Sequence, residues 1–359
     1  MQNVLISPLA IEEGLLQLYI GAEGNTAEQL KHFLQLDGST KREVLDWYHT
    51  WRQRLEKPPA NELSIASRLF AAKEIGILPE YETELKRIFD VTVGSVNADD
   101  SVKTATIVNN WITRQTHNHI DSLLYGTEDV GLMAVVGVVY FKGFWANCFD
   151  KFSNSQRNFY TLSNAGGYEN AKVETMQVVG KFKVAEHPEI DASSIQIPYN
   201  SSSISMTIYV PNAINGLDRI IAKLEEWPNH EIAAKVQPTL LKLYLPKFKL
   251  ETTMDMLPAL KSLGVRELAK HPNFSSMTRF GKPKIEKFWH KSKLEVDEVG
   301  VQAANARASP YNKDKSPEEF TVDRPFIFFI QDDERVYFAG RVGDPRSAYQ
   351  KNANAEFTI

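Results

Sequence analysis

Apolar positions near the start of the chain recur at helical spacing. From Ser7-Pro8 onward, Leu9, Leu15, Leu16 and Tyr19 fall on one side of a helix, and Gly21 and Gly24 close the run. Thr26 is the expected N-cap of a second helix that carries Leu30, Phe33 and Leu34 on one side. Val44, Trp47, Trp51 and Leu55 predict a third, stopped by Pro58-Pro59, and Val108, Trp111, Ile112 and Thr116 predict another. Beyond these the period changes from helix to strand. The stretch 135–141 is apolar on both parities, as in a strand covered on both faces. Two short strands are predicted within 195–210, around the turn Tyr199-Asn200-Ser201-Ser202. Leu241, Leu243 and Leu245 share a parity that Lys247 and Lys249 then take over, so the inward face changes at Pro246, which predicts a kink or bulge there. Residues 325–330 and 335–342 read as a hairpin around Asp332-Asp333-Glu334.

Between Val299 and Glu319 the pattern vanishes. These 21 residues hold two prolines, no Leu, Ile, Phe or Met, and one large aromatic, Tyr311. A structureless loop of that length inside a packed chain is either functional or a loose insertion, and spacing alone does not choose between them. The 359 residues are 43% hydrophobic and 24% charged, the balance of a chain with a substantial core rather than a disordered one. A net charge of -4 gives no support for a nucleic-acid surface. No apolar run is long enough to span a membrane. The one cysteine, Cys148, excludes an intrachain disulfide and a cysteine-based zinc site. With no basic-then-apolar leader at Met1, this favours the cytosol, whereas the sequons at Asn200 and Asn273 point weakly to secretion.

Searches for catalytic chemistry fail. There is no Gly-x-Ser-x-Gly elbow and no Gly-Lys-Ser/Thr phosphate loop, and His230-Glu231 lacks a second zinc ligand because Ala234 stands in its place. Nothing suggests a cofactor or a metal. The segment 282–293, from Lys282 to Lys293, interleaves five lysines with Phe288, Trp289 and His290. Its commoner reading is the basic solvent face of an amphipathic strand; the rarer one is a weak polyanion contact.

Six stretches in order resemble the serpin family: residues 3–11; Gly21 to Leu30; Asn109-Asn110-Trp111 with Thr116; Tyr140-Phe141-Lys142-Gly143-Phe144-Trp145 with Phe149; Leu245-Pro246-Lys247-Phe248-Lys249-Leu250; and Phe338 to Pro345. The resemblance implies an α+β fold in a single domain over 1–346, with three β-sheets, eight or nine helices and a C-terminal tail over 347–359. The family carries a long helix A ahead of the first of these motifs, so this chain reads as lacking it or as truncated, which leaves cytosol and secretion both open. The resemblance also makes 299–319 the reactive-centre loop. A protease takes that loop as substrate, and after the acyl bond forms the cut loop enters the large sheet as a strand, disabling the enzyme. Such a strand gains about a dozen hydrogen bonds at roughly 0.5–1.5 kcal/mol net each.

Under the same resemblance, Glu298, Gly300, Val301, Ala303 and Ala304 form the loop's hinge, and Val301, Ala303, Asn305 and Arg307 share the parity that must be buried on insertion. Val301 and Ala303 suit it. Asn305 and Arg307 handicap it, because an unpaired buried amide costs roughly 1–3 kcal/mol and a guanidinium more. Ser7 and His290 match two members of the family's central hydrogen-bond cluster, with a helix cap and an ordinary buried imidazole as the plainer alternatives. Gly137 stands where the family has Asn, and Ala10 where it has Ser. The family's loop length places the cut after Asp314, and a shift of one residue moves it to Lys313 or to Lys315, ahead of Ser316. Asp314 there would select an aspartate-cleaving protease; a basic residue is preferred, which suits a trypsin-like protease, and Tyr311 would suit a chymotrypsin-like one. The expected protein is a monomeric protease inhibitor, not an enzyme. Its rival is a non-inhibitory binding or carrier serpin whose loop is cut without trapping.

Overall fold

The computed structural model describes residues 2–54, 62–126, 131–162, 167–200, 202–223, 237–279, 283–298, 317–347 and 349–351. Strand β1 (Val4–Ile6) leads into helices α1 (Pro8–Gly21), α2 (Gly24–Phe33) and α3 (Lys41–Arg54), then β2 (Glu62–Ala72), α4 (Pro79–Phe89), β3 (Gly94–Val96) and α5 (Ser101–Gln115). Next come β4 (Met133–Lys142), β5 (Ser155–Leu162), β6 (Tyr168–His187), β7 (Ala192–Pro198), β8 (Ser205–Pro211) and α6 (Leu217–Lys223). After β9 (Thr239–Pro246), β10 (Phe248–Asp255) and α7 (Leu257–Ser262) follow β11 (Lys287–Val296), β12 (Glu318–Thr321), β13 (Phe326–Gln331), β14 (Val336–Val342) and β15 (Tyr349–Lys351).

The strands form a six-stranded sheet, ordered β15-β10-β11-β4-β2-β3, and a nine-stranded one, ordered β1-β14-β13-β8-β7-β6-β9-β12 with β5 on β6. The 20-residue β6 belongs to two layers. Its first part pairs β5 and β9, and Lys183 to His187 pair β7, so the described residues contain three sheet layers. Seven α-helices surround them among the described residues, fewer than the eight or nine expected.

Strand β4 explains why its sequence has no polar parity. Val135, Val139 and Phe141 pack into the main core with α1, while Val136, Val138 and Tyr140 pack under Val108, Trp111 and Ile112 of α5. Each large side chain so enclosed contributes roughly 1.5–3 kcal/mol. Helix α1 is buried almost throughout, and its polar groups are satisfied: Gln17 Nε2 donates to Ser67 O at 2.8 Å and Leu69 N donates to Gln17 Oε1 at 3.2 Å.

Several expectations shift. Thr26 lies within α2, not at its cap, and its hydroxyl accepts from Asn273 N at 2.9 Å. Trp47 is half exposed; the inward face of α3 is Val44, Leu45, Tyr48 and Trp51. The change of face at Pro246 is a change of sheet, β9 ending there and β10 starting at Phe248. Glu318 and Glu319, placed in the loop, begin β12 instead. The segment beyond 347 is not a free tail throughout, since β15 pairs β10 in parallel. Most clearly, β11 is not a solvent-facing basic strand. It is central, with Lys291 only 4% exposed. Among the described residues, no helix is long and apolar enough to cross a membrane.

Candidate functional site

Strands β4 and β11 lie side by side in parallel over nine paired positions, from Lys287 opposite Ala134 to Glu295 opposite Lys142. Their outer neighbours, β2 and β10, are antiparallel to them. The seam therefore breaks the antiparallel alternation among the four central strands of the six-stranded sheet, as the parallel pairs β10–β15 and β2–β3 do at its edges. A further strand placed between β4 and β11, running against both, would make the sheet antiparallel from β10 to β2, and antiparallel pairing is slightly the more stable per residue. The chain leaves β11 at Val296 and returns at β12, on the edge of the other sheet beside β9. The intervening loop thus starts at the open end of the seam.

That end is closed by a polar clamp. Trp145 Nε1 donates to Asp297 O at 2.8 Å, and Lys142 Nζ lies 3.6 Å from Asp297 Oδ2. Glu298 is 9% exposed, and its carboxylate accepts from Lys247 Nζ at 2.9 Å and from Asn154 Nδ2. Lys247 also reaches Glu174 at 3.3 Å. Burial by itself would raise the Glu298 carboxyl. Its own backbone N–H, the Lys247 ammonium and the Asn154 amide outweigh that and hold it below the usual carboxylate range.

Midway along the seam sits His290, fully buried, opposite Gly137. Its Nε2 accepts from Ser7 N at 3.0 Å, which leaves the ring proton on Nδ1. Among the described residues that Nδ1 has no hydrogen-bond partner. A Cβ on Gly137 would come within 3.6 Å of it, so the missing side chain at 137 is what leaves the donor bare. Nearby, Ser67 donates to Ala10 O at 2.6 Å, and Ser7 Oγ caps α1 by accepting from Ala10 N at 3.3 Å. Burial pushes the His290 imidazole down to about 3, so it is neutral at physiological pH. Ser7 thus caps α1 through its hydroxyl and donates its backbone N–H to His290 of β11.

A strap crosses the seam on the α5 side. Lys291 Nζ donates to Ser122 O at 2.6 Å and pairs with Glu251 at 2.8 Å, and Lys293 Nζ donates to His119 O at 2.8 Å. The His119 ring stacks on Tyr140 of β4 at 3.9 Å. Lysines of one seam strand thereby hold a segment resting on the other. These cations are spent inside the protein, as is Lys287, paired with Asp255 at 3.0 Å. The geometry accordingly gives the polyanion contact at Lys282 to Lys293 little free charge; Lys284 is exposed and Lys282 lies outside the described residues.

Of the residues singled out from the sequence, Glu298, Ser7 and His290 are placed at the seam. Gly300, Val301, Ala303, Ala304, Asn305, Arg307, Lys313, Asp314, Lys315 and Ser316 lie outside the described residues, as do His230 and Glu231. Lys247, Asn154, Lys142 and Trp145 were not singled out as site residues. Lys142, Trp145 and Lys247 sit inside the recognised motifs, but no spacing links them to Glu298 across 51 to 156 positions.

Comparison with known proteins agrees with this geometry. The family model described as "Serpin (serine protease inhibitor)" matches residues 1–345. Human Serpin B4 is 30% identical, covering 96% of this chain and 94% of its own length, and Serine protease inhibitor 42Dd of Drosophila melanogaster is 30% identical over 96% and 92%. The crystal structure of Serpin48 from Tenebrio molitor superposes with a TM-score of 0.83 at 25% identity, covering 96% of this chain and 92% of that one.

Proposed function

The chain belongs to the serpin family, and from that premise we propose that it is a suicide-substrate inhibitor of serine proteases. A protease attacks the loop that follows Glu298, forms an acyl bond to it, and is disabled when the cut loop enters the β4–β11 seam. The observation that carries this reading is the parallel pairing of β4 with β11 at the point where the loop departs. Only there can a segment continuing from β11 turn back and pair antiparallel with both neighbours. The clamp at Glu298 and Asp297 holds this entrance shut before cleavage, so that insertion waits for the cut.

Lys313 or Lys315 is the proposed residue before the scissile bond, with Ser316 following Lys315, and a trypsin-like enzyme the proposed target; Tyr311 is the site for a chymotrypsin-like one. The protein acts as a monomer, in the cytosol or outside the cell. A second reading, cleavage without trapping, is favoured by Asn305 and Arg307, which share the parity to be buried.

Mixing the protein with trypsin and with chymotrypsin decides between them. A protease–protein complex that survives SDS is expected, with its junction at Lys313 or Lys315. Quantitative recovery of active protease after loop cleavage would establish the second reading in its place.

A further inference from the structure

Among the described residues the six-stranded sheet ends on one side in β15, whose Tyr349, Gln350 and Lys351 run parallel to Glu251, Thr252 and Thr253 of β10. Three parallel pairs make a weak ladder, because parallel bonds are slanted and so short a strand forms few of them. On its other side β10 makes eight antiparallel pairs with β11. A firmly held strand thus carries a lightly held cover. The chain is steered onto that edge by Asn3, which is buried. Its Nδ2 donates to Asp344 O and to Ser347 O, both at 2.7 Å, and its Oδ1 accepts from Gly343 N at 2.7 Å and from Asp344 N at 3.0 Å. One amide so fixes the turn that leads into β15. The strand itself lies past residue 345, where the match to the family model ends.

A bare sheet edge offers a row of unpaired N–H and C=O groups to any other extended chain. Without β15, the edge of β10 would be such a row. Leu250, Thr252 and Met254 face the core, and Thr252 Oγ1 accepts from Leu5 N of β1 at 3.1 Å, so β10 stays in place whether or not it is covered. Lys249, Glu251, Thr253 and Asp255 share the opposite parity. Two copies of β10 laid antiparallel about Thr252 set Lys249 opposite Asp255 and Glu251 opposite Thr253, each pair occurring twice by symmetry. Lys249 is 62% exposed and reaches Glu295 at 3.4 Å. Thr253 Oγ1 is buried with no hydrogen-bond partner among the described residues, and Glu251 of the other copy would supply an acceptor. The edge complements itself in charge and in hydrogen bonding, which selects a second copy of this chain as its occupant.

We propose that β15 is an edge guard. It keeps the six-stranded sheet, and with it the protein, in single copies, and its displacement lets two copies join antiparallel along β10. The device is separate from protease capture, and no part of it depends on the loop being cut.

Light scattering over a concentration series, comparing the full chain with a chain ending at Ser347, tests it. The full chain is expected to keep the mass of one copy, and the shortened chain to rise toward twice that mass as concentration increases. Amide exchange at 251–253 in dilute solution should quicken about tenfold on shortening and slow again as the dimer forms. Gln350→Pro removes a backbone donor from β15 at full length; it should behave as the shortened chain does, and it carries the test if shortening prevents folding. Lys249→Asp in either unguarded chain sets like charges opposite one another and should restore the single copy at low salt. Unguarded chains that stay single at every concentration would overturn the guard, as would a full chain that pairs to the same extent. A dimer unmoved by Lys249→Asp, with 251–253 still exchanging quickly, would overturn β10 as the joined edge.

Discussion

At its loop end the β4–β11 seam closes on charge. Asp297 and Glu298 are met by Lys142, Lys247, Asn154 and Trp145, every one of them a donor aimed at an acceptor. Midway down, at Gly137 and His290, the same two strands meet with a bare Nδ1–H and no side chain opposite. Among the described residues the entrance pairs its charges, leaving only Asn154 Oδ1 bare there, whereas the middle has no charged partner for His290 Nδ1. An unsatisfied buried donor costs roughly 1–3 kcal/mol, whereas a hydrogen bond to a charged group contributes roughly 1.5–3 kcal/mol. Under the proposed mechanism the charged rim holds the sheet shut, and the bare donor at its middle is the weaker region. The two regions should respond oppositely to substitution.

The severest test of the contrast is Glu298→Lys, which sets a cation against Lys247 and removes both bonds to the carboxylate. A loss of about 3 kcal/mol is expected. Amide exchange across 138–141 and 291–294 should accelerate well before global unfolding, and uniform acceleration over the whole molecule would sink the idea of a local latch. Lys291→Met removes the strap to Ser122 and leaves Glu251 without that partner, at a cost of about 2 kcal/mol; it should also raise the yield of trapped protease by loosening the segment at Ser122. Gly137→Asn has the reverse sign. An amide oxygen within reach of His290 Nδ1 should add about 1 kcal/mol, provided Ser67 Oγ, 3.3 Å from the new Cβ, shifts to make room. The urea midpoint should rise and the inserted form should be reached more slowly. A lowered midpoint would mean that packing, not the bare donor, governs the middle of the seam.

The mildest perturbation is pH. Glu298 is held below its usual range in the folded state, so the unfolded chain binds its proton first as pH falls. The clamp contributes its full stability above the ordinary carboxylate range and loses it as pH drops through the depressed folded value. Exchange at the loop end should therefore quicken in acid, and Glu298→Gln should flatten that response. His290 is held neutral down to about 3 while the unfolded imidazole protonates near 6.5, so it too withdraws stability as pH falls below about 6.5, and Glu298→Gln removes only the carboxylate's share of the acid response.

Legibility tracked distance along the chain. Helix α1, the two-sided β4, the break at Pro246 and the β13–β14 hairpin all declare themselves through contacts a few residues apart, and each was readable. The lysines of β11 misled because alternation of charge ordinarily marks a solvent face. Here it marks a central strand whose cations reach backbone oxygens and Glu251. Trp47 misled for a related reason, since helical spacing identifies a stripe but not its margin.

The family likeness was legible from residues alone, and Glu298, Ser7 and His290 could be singled out through it, because motifs are local in sequence. Register was not. Which strands face each other across the seam, what grips Glu298, and why His290 lacks a partner depend on residues brought together from opposite ends of the chain, and that pairing exists only once the sheets have formed.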